Sequence, residues 1–317
     1  MRKVGERMET RYFQTLVKVC ETGSFSKAAE SLHITQSAVS QRIKFLEENY
    51  GHQLFDRSGT QLEPTGAGLL VLEKAREILA KERELVDRLS SFKGEKRLSI
   101  CCTPTFGMAY LPRILSDFVL RNADVHDLKF IFKQPAEAIV GVQNKEYDLA
   151  VIEYCDGIPP ESFVVYPLPD DELVFISAPS MDLPETPMEI ERLLEFPIYA
   201  RRDGCSSRNL LRQNLANLGH DINDFKRVVI SDDLRLCIGS ALDGCGISFV
   251  SRSLVRGYLL DHRLRAHYVK DFTHVRSRAA FHLAARSEDP LISNFIASLQ
   301  SLFSDRGRRH TDGLALP

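Results

Sequence analysis

The first fifty residues carry the 3.6-residue apolar period of amphipathic helices. The first helical stripe stops at Gly23, because glycine readily adopts the left-handed conformation that closes a helix. Ser24 is a good N-cap for a second helix of only about two turns. Its apolar positions follow the spacing i, i+3, i+4 and i+7: Phe25, Ala28, Ala29 and Leu32. The pattern predicts two helices with a very short connection.

A third helix follows the short turn His33-Ile34-Thr35 and has two distinct faces. Its apolar face carries Val39, Ile43, Leu46 and Tyr50. Its opposite face presents the polar residues Ser37, Ser40, Gln41 and Lys44. A short helix, a three-residue turn and a longer helix with a polar outer face are typical of a helix-turn-helix. Residues 54–65 then indicate two short strands, a small wing.

A long helix is predicted from Thr65 onward, because proline is absent for about 27 residues and glycine is absent after Gly68. Its apolar positions form a heptad-like stripe, interrupted by Glu82: Leu72, Ala75, Leu79, Val86 and Leu89. Such a helix is roughly 40 Å long. A small three-helix unit cannot cover that stripe, so we expect the helix to pair with a second copy of itself.

Beyond the polar hinge at residues 93–96, the pattern changes to alternating strands and helices. Seven short apolar runs are predicted strands: 98–102, 128–132, 148–152, 173–177, 228–230, 247–250 and 280–284. Helical patterns between most of them favour a parallel α/β sheet, as one large domain or as two lobes. Residues 304–317 have no periodicity and are predicted to form a disordered tail.

Composition narrows the class of protein. With 44% hydrophobic and 26% charged residues, the chain has the balance of a soluble globular protein. It lacks a run of roughly 18 apolar residues and a secretory leader, so we expect a cytoplasmic protein with no membrane partner. Seven cysteines without a CxxC pair argue against a disulfide framework and a zinc site, and no cofactor is predicted. The net charge of -2 does not indicate DNA binding.

The segment 25–68 closely resembles the N-terminal signature of LysR-type transcriptional regulators. The matching residues are Ala28-Ala29, Leu32, Thr35-Gln36-Ser37, Val39-Ser40, Ile43, Leu46-Glu47, Leu54-Phe55, Arg57 and Pro64-Thr65-Gly66. Weaker landmarks follow at Leu111-Pro112, at residues 147–150 and at residues 244–247. The support for a regulator is therefore the joint spacing of turn, polar helix face, wing and long helix.

The resemblance implies an N-terminal winged helix-turn-helix (mainly α) over residues 1–65 and a linker helix over 66–93. An α/β two-lobed, periplasmic-binding-protein-like effector domain follows over 94–303, before the tail at 304–317. The implied crossovers near Pro167 and Asp271 assign residues 97–166 and 271–303 to lobe I and 167–270 to lobe II. The implied partners are double-stranded promoter DNA, a small-molecule effector for which an anion is one candidate, and a second copy through the linker helix. A homotetramer and contact with RNA polymerase are further expectations.

The candidate DNA-reading residues lie on the third helix. Short polar side chains let a helix approach base edges in the major groove, which fits Gln36, Ser37, Ser40 and Gln41. Arg42 and Lys44 suit phosphates. The alternative is a merely solvated helix face.

The wing adds two candidates. Arg57 is placed to enter a minor groove, with a surface ion pair to Asp56 or Glu63 as the alternative. Thr65 is expected first to cap the long helix, although family members also contact DNA there.

The candidate effector residues follow predicted strands and precede predicted helices, where free backbone N–H groups favour anions. The first loop is Thr103-Pro104-Thr105-Phe106, and the second contains Cys205-Ser206-Ser207. Gln134 and Phe249 are candidates by position only. Helix capping is the alternative reading for each threonine and serine. For Cys205 the alternative is thiol sensing, since some family members sense peroxide with a cysteine near this point.

Two other classes of function, an enzyme and a nucleoid-type DNA binder, fit the sequence less well. An enzyme is disfavoured, because the chain has no GxSxG, P-loop, GxGxxG or HExxH motif. A nucleoid-type DNA binder would need no ligand module, whereas the long C-terminal half predicts one. We therefore expect a ligand to close the two lobes and change the relation between dimers on DNA.

Overall fold

The computed structural model describes residues 9–56, 62–91, 96–155 and 162–311. The chain divides into two compact units, an N-terminal unit up to residue 94 with the short segment 144–146, and a C-terminal unit with the rest. Among the described helices, none has the combination of length and apolar character that a bilayer span requires.

The N-terminal unit contains four helices and a two-stranded wing. They are α1 (Thr10–Thr22), α2 (Phe25–Leu32), α3 (Gln36–Tyr50), β1 (Phe55–Asp56), β2 (Glu63–Pro64) and α4 (Gly66–Ser91). The predicted helices, the three-residue turn and the wing are all present.

Local capping explains where these helices begin and end. The Ser24 side chain accepts a hydrogen bond from the Lys27 N–H, and Thr35 accepts one from the Ala38 N–H. His33 closes α2 in the left-handed conformation, with φ of 54°. Each cap is a short-range interaction, so the helix-turn-helix is specified by its own few residues.

The apolar stripe of α4 is divided between two environments. Leu72, Ala75 and Leu79 are buried against the core of α1 to α3, whereas Val86 and Leu89 are exposed. The expectation that the three-helix unit cannot cover this stripe is therefore wrong for its first half. The reason is that α1 packs directly on the first turns of α4, which leaves only the distal part for another surface.

The C-terminal unit alternates strands and helices. Its elements are β3 (Lys96–Cys102), α5 (Pro104–Arg121), β4 (Val125–Phe132), α6 (Pro135–Gln143), β5 (Leu149–Tyr154), β6 (Phe163–Ser177), α7 (Glu191–Leu194), β7 (Pro197–Arg201), α8 (Ser206–Asn217), β8 (Arg227–Ser231), α9 (Leu234–Leu242), β9 (Ser248–Ser251), α10 (Arg252–Leu260), β10 (Arg265–His267), β11 (Val275–Leu283) and α11 (Pro290–Thr311). All seven predicted strands are present, and β7 and β10 were not predicted.

The main sheet is mixed rather than wholly parallel. Strands β4, β3 and β5 pair in parallel, but β11 pairs antiparallel with both β5 and β6, and β6 pairs antiparallel with β9 and β10. Strands β7 and β8 form a separate parallel pair. The parallel expectation fails because β6 and β11 are shared strands that run in opposite directions.

These two strands pass between two lobes. Residues 163–168 of β6 pair with β11 inside the first lobe, and residues 173–176 pair with β9 in the second. We call lobe I the part built on β3, β4 and β5, with its core around Phe118 and Phe295. Lobe II is built on β7 to β10, with its core around Phe175. The lobes thus meet at β6 and β11.

The last helix extends further than expected. Residues 304–311 are helical as the end of α11, so the predicted tail is wrong over this stretch. No proline follows Pro290 until the final residue, and a single glycine at 307 is only a modest helix penalty. Residues 312–317 lie outside the described residues.

Candidate functional site

The polar face of α3 is the candidate DNA-reading surface. Gln36, Ser37, Gln41 and Lys44 are exposed, and Ser40 is half-buried. The opposite face is fixed by three fully buried side chains: Val39, Ile43 and Leu46. The helix therefore presents one continuous polar surface while its other side is held rigidly in the core.

Arg42 and Lys44 occupy different environments. Arg42 is half-buried, and its Nη1 donates a hydrogen bond to Thr15 Oγ1 at 3.1 Å, which ties α3 to α1. Lys44 Nζ lies 3.6 Å from Glu48 Oε1 in an exposed pair. Such a pair is weak in water, so the ammonium group of Lys44 remains available to a phosphate.

The wing candidates are an arginine and a threonine. Arg57 lies outside the described residues. Thr65 Oγ1 donates to the Gln53 carbonyl at 2.7 Å and accepts from the Gly68 N–H at 3.0 Å. The Thr65 hydroxyl therefore both fixes the wing and caps α4, as its first expected role requires.

A cavity of about 290 Å³, including its open mouth, lies between lobes I and II. Seven of the nine predicted effector residues line it: Thr103, Pro104, Thr105, Gln134, Cys205, Ser206 and Ser207. Five residues that were not predicted complete the lining: Lys133, Pro135, Glu153, Arg201 and Arg276. The two loops that the sequence singled out therefore face each other across one cavity.

Phe106 and Phe249 are not brought to this cavity. Phe106 is fully buried in the lobe I core, with its ring 5.3 Å from that of Tyr110. Phe249 lies in the lobe II core, 4.8 Å from the ring of Phe175. Both aromatic rings are on the inner side of their elements, where they contribute apolar burial instead of ligand contacts.

Three helices begin at the cavity. Thr103 is the N-cap of α5, Pro135 is the first residue of α6, and Ser206 is the first residue of α8. Cys205, the N-cap of α8, makes no side-chain capping bond. Helix N-termini carry partial positive charge and free N–H groups, so their convergence favours an anion.

Arg201 at the end of β7 adds a full positive charge. The residue is only 6% exposed, and its Nη2 lies 3.1 Å from Asp232 Oδ1 and 3.5 Å from Cys205 Sγ. Its Nε and Nη1 are buried and, within the described ranges, have no hydrogen-bond partner. Buried donors without acceptors are costly and uncommon, which indicates that an acceptor belongs here.

A buried charge cluster underlies the cavity where β6 and β11 meet. Arg276 contacts Asp171 Oδ2 at 2.8 and 3.0 Å, and Arg278 contacts Asp171 Oδ1 at 2.6 Å. Arg278 Nε also lies 3.4 Å from Glu153 Oε1. All four side chains are at most 2% exposed. We call these two arginines and two carboxylates the crossover cluster.

The crossover cluster contacts both ligand loops. Thr103 Oγ1 of lobe I donates a short hydrogen bond to Glu153 Oε2. Arg276 Nη1 donates to Ser206 Oγ of lobe II at 2.5 Å. A molecule bound at these loops is therefore one side chain away from the strands that join the lobes.

Gln134, which lines the cavity, makes a direct contact between lobe I and lobe II. Gln134 Nε2 of lobe I donates to the Asp203 carbonyl of lobe II at 3.1 Å. The neighbouring Gly204 has φ of 85°, and a Cβ there would lie 2.0 Å from Gln134 Oε1. The glycine thus permits both the turn and the close approach of the amide.

Elsewhere in the described part of the chain, no cluster of three or more His, Cys, Asp or Glu side chains has the arrangement of a metal site. The chemistry of the cavity is that of hydrogen bonding and charge.

Comparisons with protein families match nearly the whole chain. The model described as the bacterial regulatory helix-turn-helix protein, lysR family, matches residues 10–69. The model described as the LysR substrate binding domain matches residues 93–304.

Individual relatives agree with these matches. A RuBisCO operon transcriptional regulator of Allochromatium vinosum is 26% identical over 304 residues, which is 95% of this chain and 97% of the relative. The HTH-type transcriptional regulator CbbR of Rhizobium meliloti (strain 1021) is 30% identical over 76% of each chain.

Solved structures show the same fold. CbnR, described as a LysR family transcriptional regulator, aligns with a TM-score of 0.57 at 17% identity, covering 93% of this chain and 99% of its own. Full-length BenM aligns with a TM-score of 0.55 at 19% identity, covering 95% of this chain and 98% of its own.

Proposed function

The chain belongs to the LysR family of transcriptional regulators, with a helix-turn-helix for DNA and an effector-binding domain, and from this premise we propose its reading surface and its ligand site. The face of α3 formed by Gln36, Ser37, Ser40 and Gln41 contacts base edges in the major groove. Lys44 holds a phosphate at the edge of that face. A small anion binds in the cavity between lobes I and II and alters the regulator's DNA contacts, without a catalytic step.

The observation that supports an anion most strongly is the environment of Arg201. A guanidinium that is 6% exposed keeps two nitrogens without hydrogen-bond partners in the described structure, beside the N-terminus of α8. The hydroxyls of Ser206 and Ser207 stand at the same helix end. A carboxylate or phosphoryl group there would accept from the guanidinium and from the helix together.

An anion in this cavity touches both lobes and so favours one lobe arrangement. Arg201 and Ser207 belong to lobe II, whereas Thr105 and Lys133 belong to lobe I. The Gln134–Asp203 hydrogen bond also joins the two lobes beside this cavity. Only a ligand with different affinities for the two arrangements can shift their populations.

The output of that shift is a change in how copies of the chain meet on DNA. The exposed distal stripe of α4, with Leu85, Val86 and Leu89, supports pairing through the linker helix. We propose a dimer built on this stripe, two of which assemble into a tetramer on promoter DNA. Contact with RNA polymerase would then depend on the arrangement of those dimers.

The ligand site is tested by thermal shift on the full chain with phosphate, sulfate and small carboxylates. A ligand present at 100 times its Kd adds about 2.7 kcal/mol to the free energy of unfolding. We expect Arg201→Met to remove the anion-dependent shift. The matched control is Arg202→Met, since Arg202 is half-exposed and also pairs with Asp232.

Equal shifts in both variants would show that anions act without Arg201 and would overturn the site. The regulatory step is tested by footprinting with and without a stabilising anion. An unchanged footprint and unchanged DNA bending at saturation would exclude the proposed output.

A further inference from the structure

Glu153 adds a buried negative charge to the wall of the cavity. This residue of β5 lines the cavity and is fully buried. Its Oε2 accepts from Thr103, whereas its Oε1 has no hydrogen-bond donor in the described structure. The nearest cation to Oε1 is Arg278, whose Nε lies 3.4 Å away without hydrogen-bond geometry.

An ion pair without a hydrogen bond does not fully offset the free-energy cost of burying a carboxylate oxygen. Burial removes the water that would otherwise donate to it, and an unmade hydrogen bond to a charged group costs more than one to a neutral group. Arg276 cannot turn to this oxygen, because its guanidinium already holds Asp171 and Ser206. Arg278 Nε is also without a hydrogen-bond partner in the described structure and does not donate to Oε1. Because Glu153 lines the cavity, a donor on a bound molecule would complete its hydrogen bonds.

The opposite charges of Glu153 and Arg201 in the cavity wall favour different parts of a ligand. An anionic group near Glu153 would meet a like charge in a site of low dielectric, which is strongly unfavourable. At Arg201 and the N-terminus of α8, the same group meets positive charge. An anionic group is therefore favoured beside Arg201, and a hydrogen-bond donor is favoured beside Glu153.

The side chains of the cavity wall also limit the size and the apolar character of a ligand. Thr, Ser, Pro, Lys, Gln, Glu, Arg and Cys side chains form the cavity wall, and this part of the described structure contributes no aromatic or large aliphatic side chain to it. The 290 Å³ of empty space includes the open mouth, so the enclosed part of the cavity is much smaller. An aromatic or long-chain acid would gain little apolar contact here.

We propose that the effector is a small aliphatic anion that bears a hydroxyl or ammonium donor, and that Glu153 selects for this donor. The inference rests on the proposed anion site at Arg201 and specifies its ligand class. Glu153 acts as a specificity-determining residue, while Arg201 supplies the binding of the anionic group. A hydrogen bond from the ligand to a charged acceptor such as Glu153 is expected to raise the binding affinity about tenfold or more.

Matched small molecules test the proposal on the wild-type full chain. Propionate, lactate and alanine differ only in the substituent next to the carboxylate. Ethyl phosphate, 2-hydroxyethyl phosphate and O-phosphoethanolamine form the corresponding phosphoryl series. We expect the hydroxyl and ammonium members of at least one series to bind about tenfold or more tightly than the parent compound by titration calorimetry.

Glu153→Gln tests the assignment to this residue. The neutral amide carries no charge to attract an ammonium group, so the advantage of the ammonium compounds should fall below about twofold. Glu189→Gln makes the same change at an exposed glutamate that pairs with Lys270 outside the cavity lining, and it is expected to retain the wild-type ranking. If Glu153→Gln fails to fold, Glu153→Asp keeps the charge but shortens the side chain by one methylene, and it is expected to reduce the same advantage.

The outcomes separate the two proposals. If parent and donor compounds bind equally and Arg201→Met abolishes both, the anion site stands and the role of Glu153 is overturned. If neither series binds the wild-type chain at all, the anion site itself fails. An ammonium preference that survives Glu153→Gln assigns the donor to another acceptor and also overturns the inference.

Discussion

Arg276 donates a 2.5 Å hydrogen bond to Ser206, which joins a strand shared by both lobes to the first turn of α8. The same guanidinium is held on its other side by Asp171 of β6. The floor of the ligand cavity and the two crossover strands are therefore parts of one hydrogen-bonded cluster. A ligand that forms a hydrogen bond with the Ser206 hydroxyl would alter the contact of Ser206 with Arg276, and Arg276 belongs to one of the two strands that join the lobes.

Asp171→Asn is expected to destabilise the effector domain strongly. Asp171 accepts from Arg276, Arg278 and Ser251, and removing its charge leaves two buried guanidinium groups with Glu153 alone. Breaking a buried pair in this way costs about 3–5 kcal/mol. Urea unfolding followed by circular dichroism measures the loss.

Glu189→Gln is the control for that measurement. The pair of Lys270 and Glu189 is exposed, so its loss should change the free energy of unfolding by less than about 1 kcal/mol. Equal effects of the two substitutions would mean that the crossover cluster does not stabilise the lobes.

His267 is expected to make the effector domain less stable in mild acid. Burial lowers the pKa of His267 below its ordinary value of 6.5, while its Nδ1 donates to the Pro184 carbonyl and its Nε2 pairs with Ser177. In the window from pH 6.5 down to the lowered pKa, the unfolded chain binds more protons than the folded one. The contribution to stability is thus complete above pH 6.5 and is lost as the pH falls through this window.

His220 provides a control of opposite sign. Its hydrogen bond to Asp224 raises the pKa of His220, so its contribution is complete below pH 6.5 and is lost as the pH rises through the raised pKa. Melting temperatures between pH 5 and 8 should therefore fall less toward acid in His267→Gln and more in His220→Gln. Identical profiles for both variants and the wild type would contradict these roles.

The parts of this molecule that could be predicted from the sequence are those set by neighbouring residues. The caps Ser24 and Thr35 determine the helix-turn-helix within a few positions. The loops at Thr103 and Ser206 were predicted because each stands between a strand and a helix, where α/β folds place ligands. These features depend on residues that are neighbours in the chain, so they can be recognised in the sequence.

The crossover cluster could not be predicted, because its charges come from distant strands. Arg276 and Asp171 are 105 positions apart, and the alternation of Arg276 and Arg278 along β11 looks like an exposed strand face. The length of β6 was missed for a related reason. Pro167, Pro169 and Asp170 favour a turn, but β6 continues through them because it pairs with β11 on both sides of an irregularity at residues 169–170. Phe249 was misplaced because the sequence does not show which side of β9 faces the core.

Gly68→Ala is expected to destabilise the DNA-binding unit. A Cβ at this position would lie 2.0 Å from the Leu54 carbonyl oxygen, and backbone at the wing cannot move aside without disturbing its bond to Thr65. Overpacking of this kind costs about 1–3 kcal/mol. Gly66→Ala is the matched control, because a Cβ there meets nothing within 4 Å of it in the described structure. Thermal unfolding of the two variants should show a large loss for the first and no loss for the second.

Gln41→Ala and Lys44→Ala are expected to weaken DNA binding in different ways, because the proposed contact of Gln41 is with a base edge and that of Lys44 is with a phosphate. Loss of a glutamine that reads a base should cost about 1–3 kcal/mol at the preferred site and relax the preference at one base pair. Loss of the lysine should weaken binding to all sequences and reduce the salt slope by about 1. Lys18→Ala removes the same charge from a lysine of α1 that pairs with Glu21, and should change neither quantity. If Gln41→Ala lowered the salt slope without changing sequence preference, the polar face of α3 would be a phosphate-binding surface, and base reading would have to be assigned to other residues.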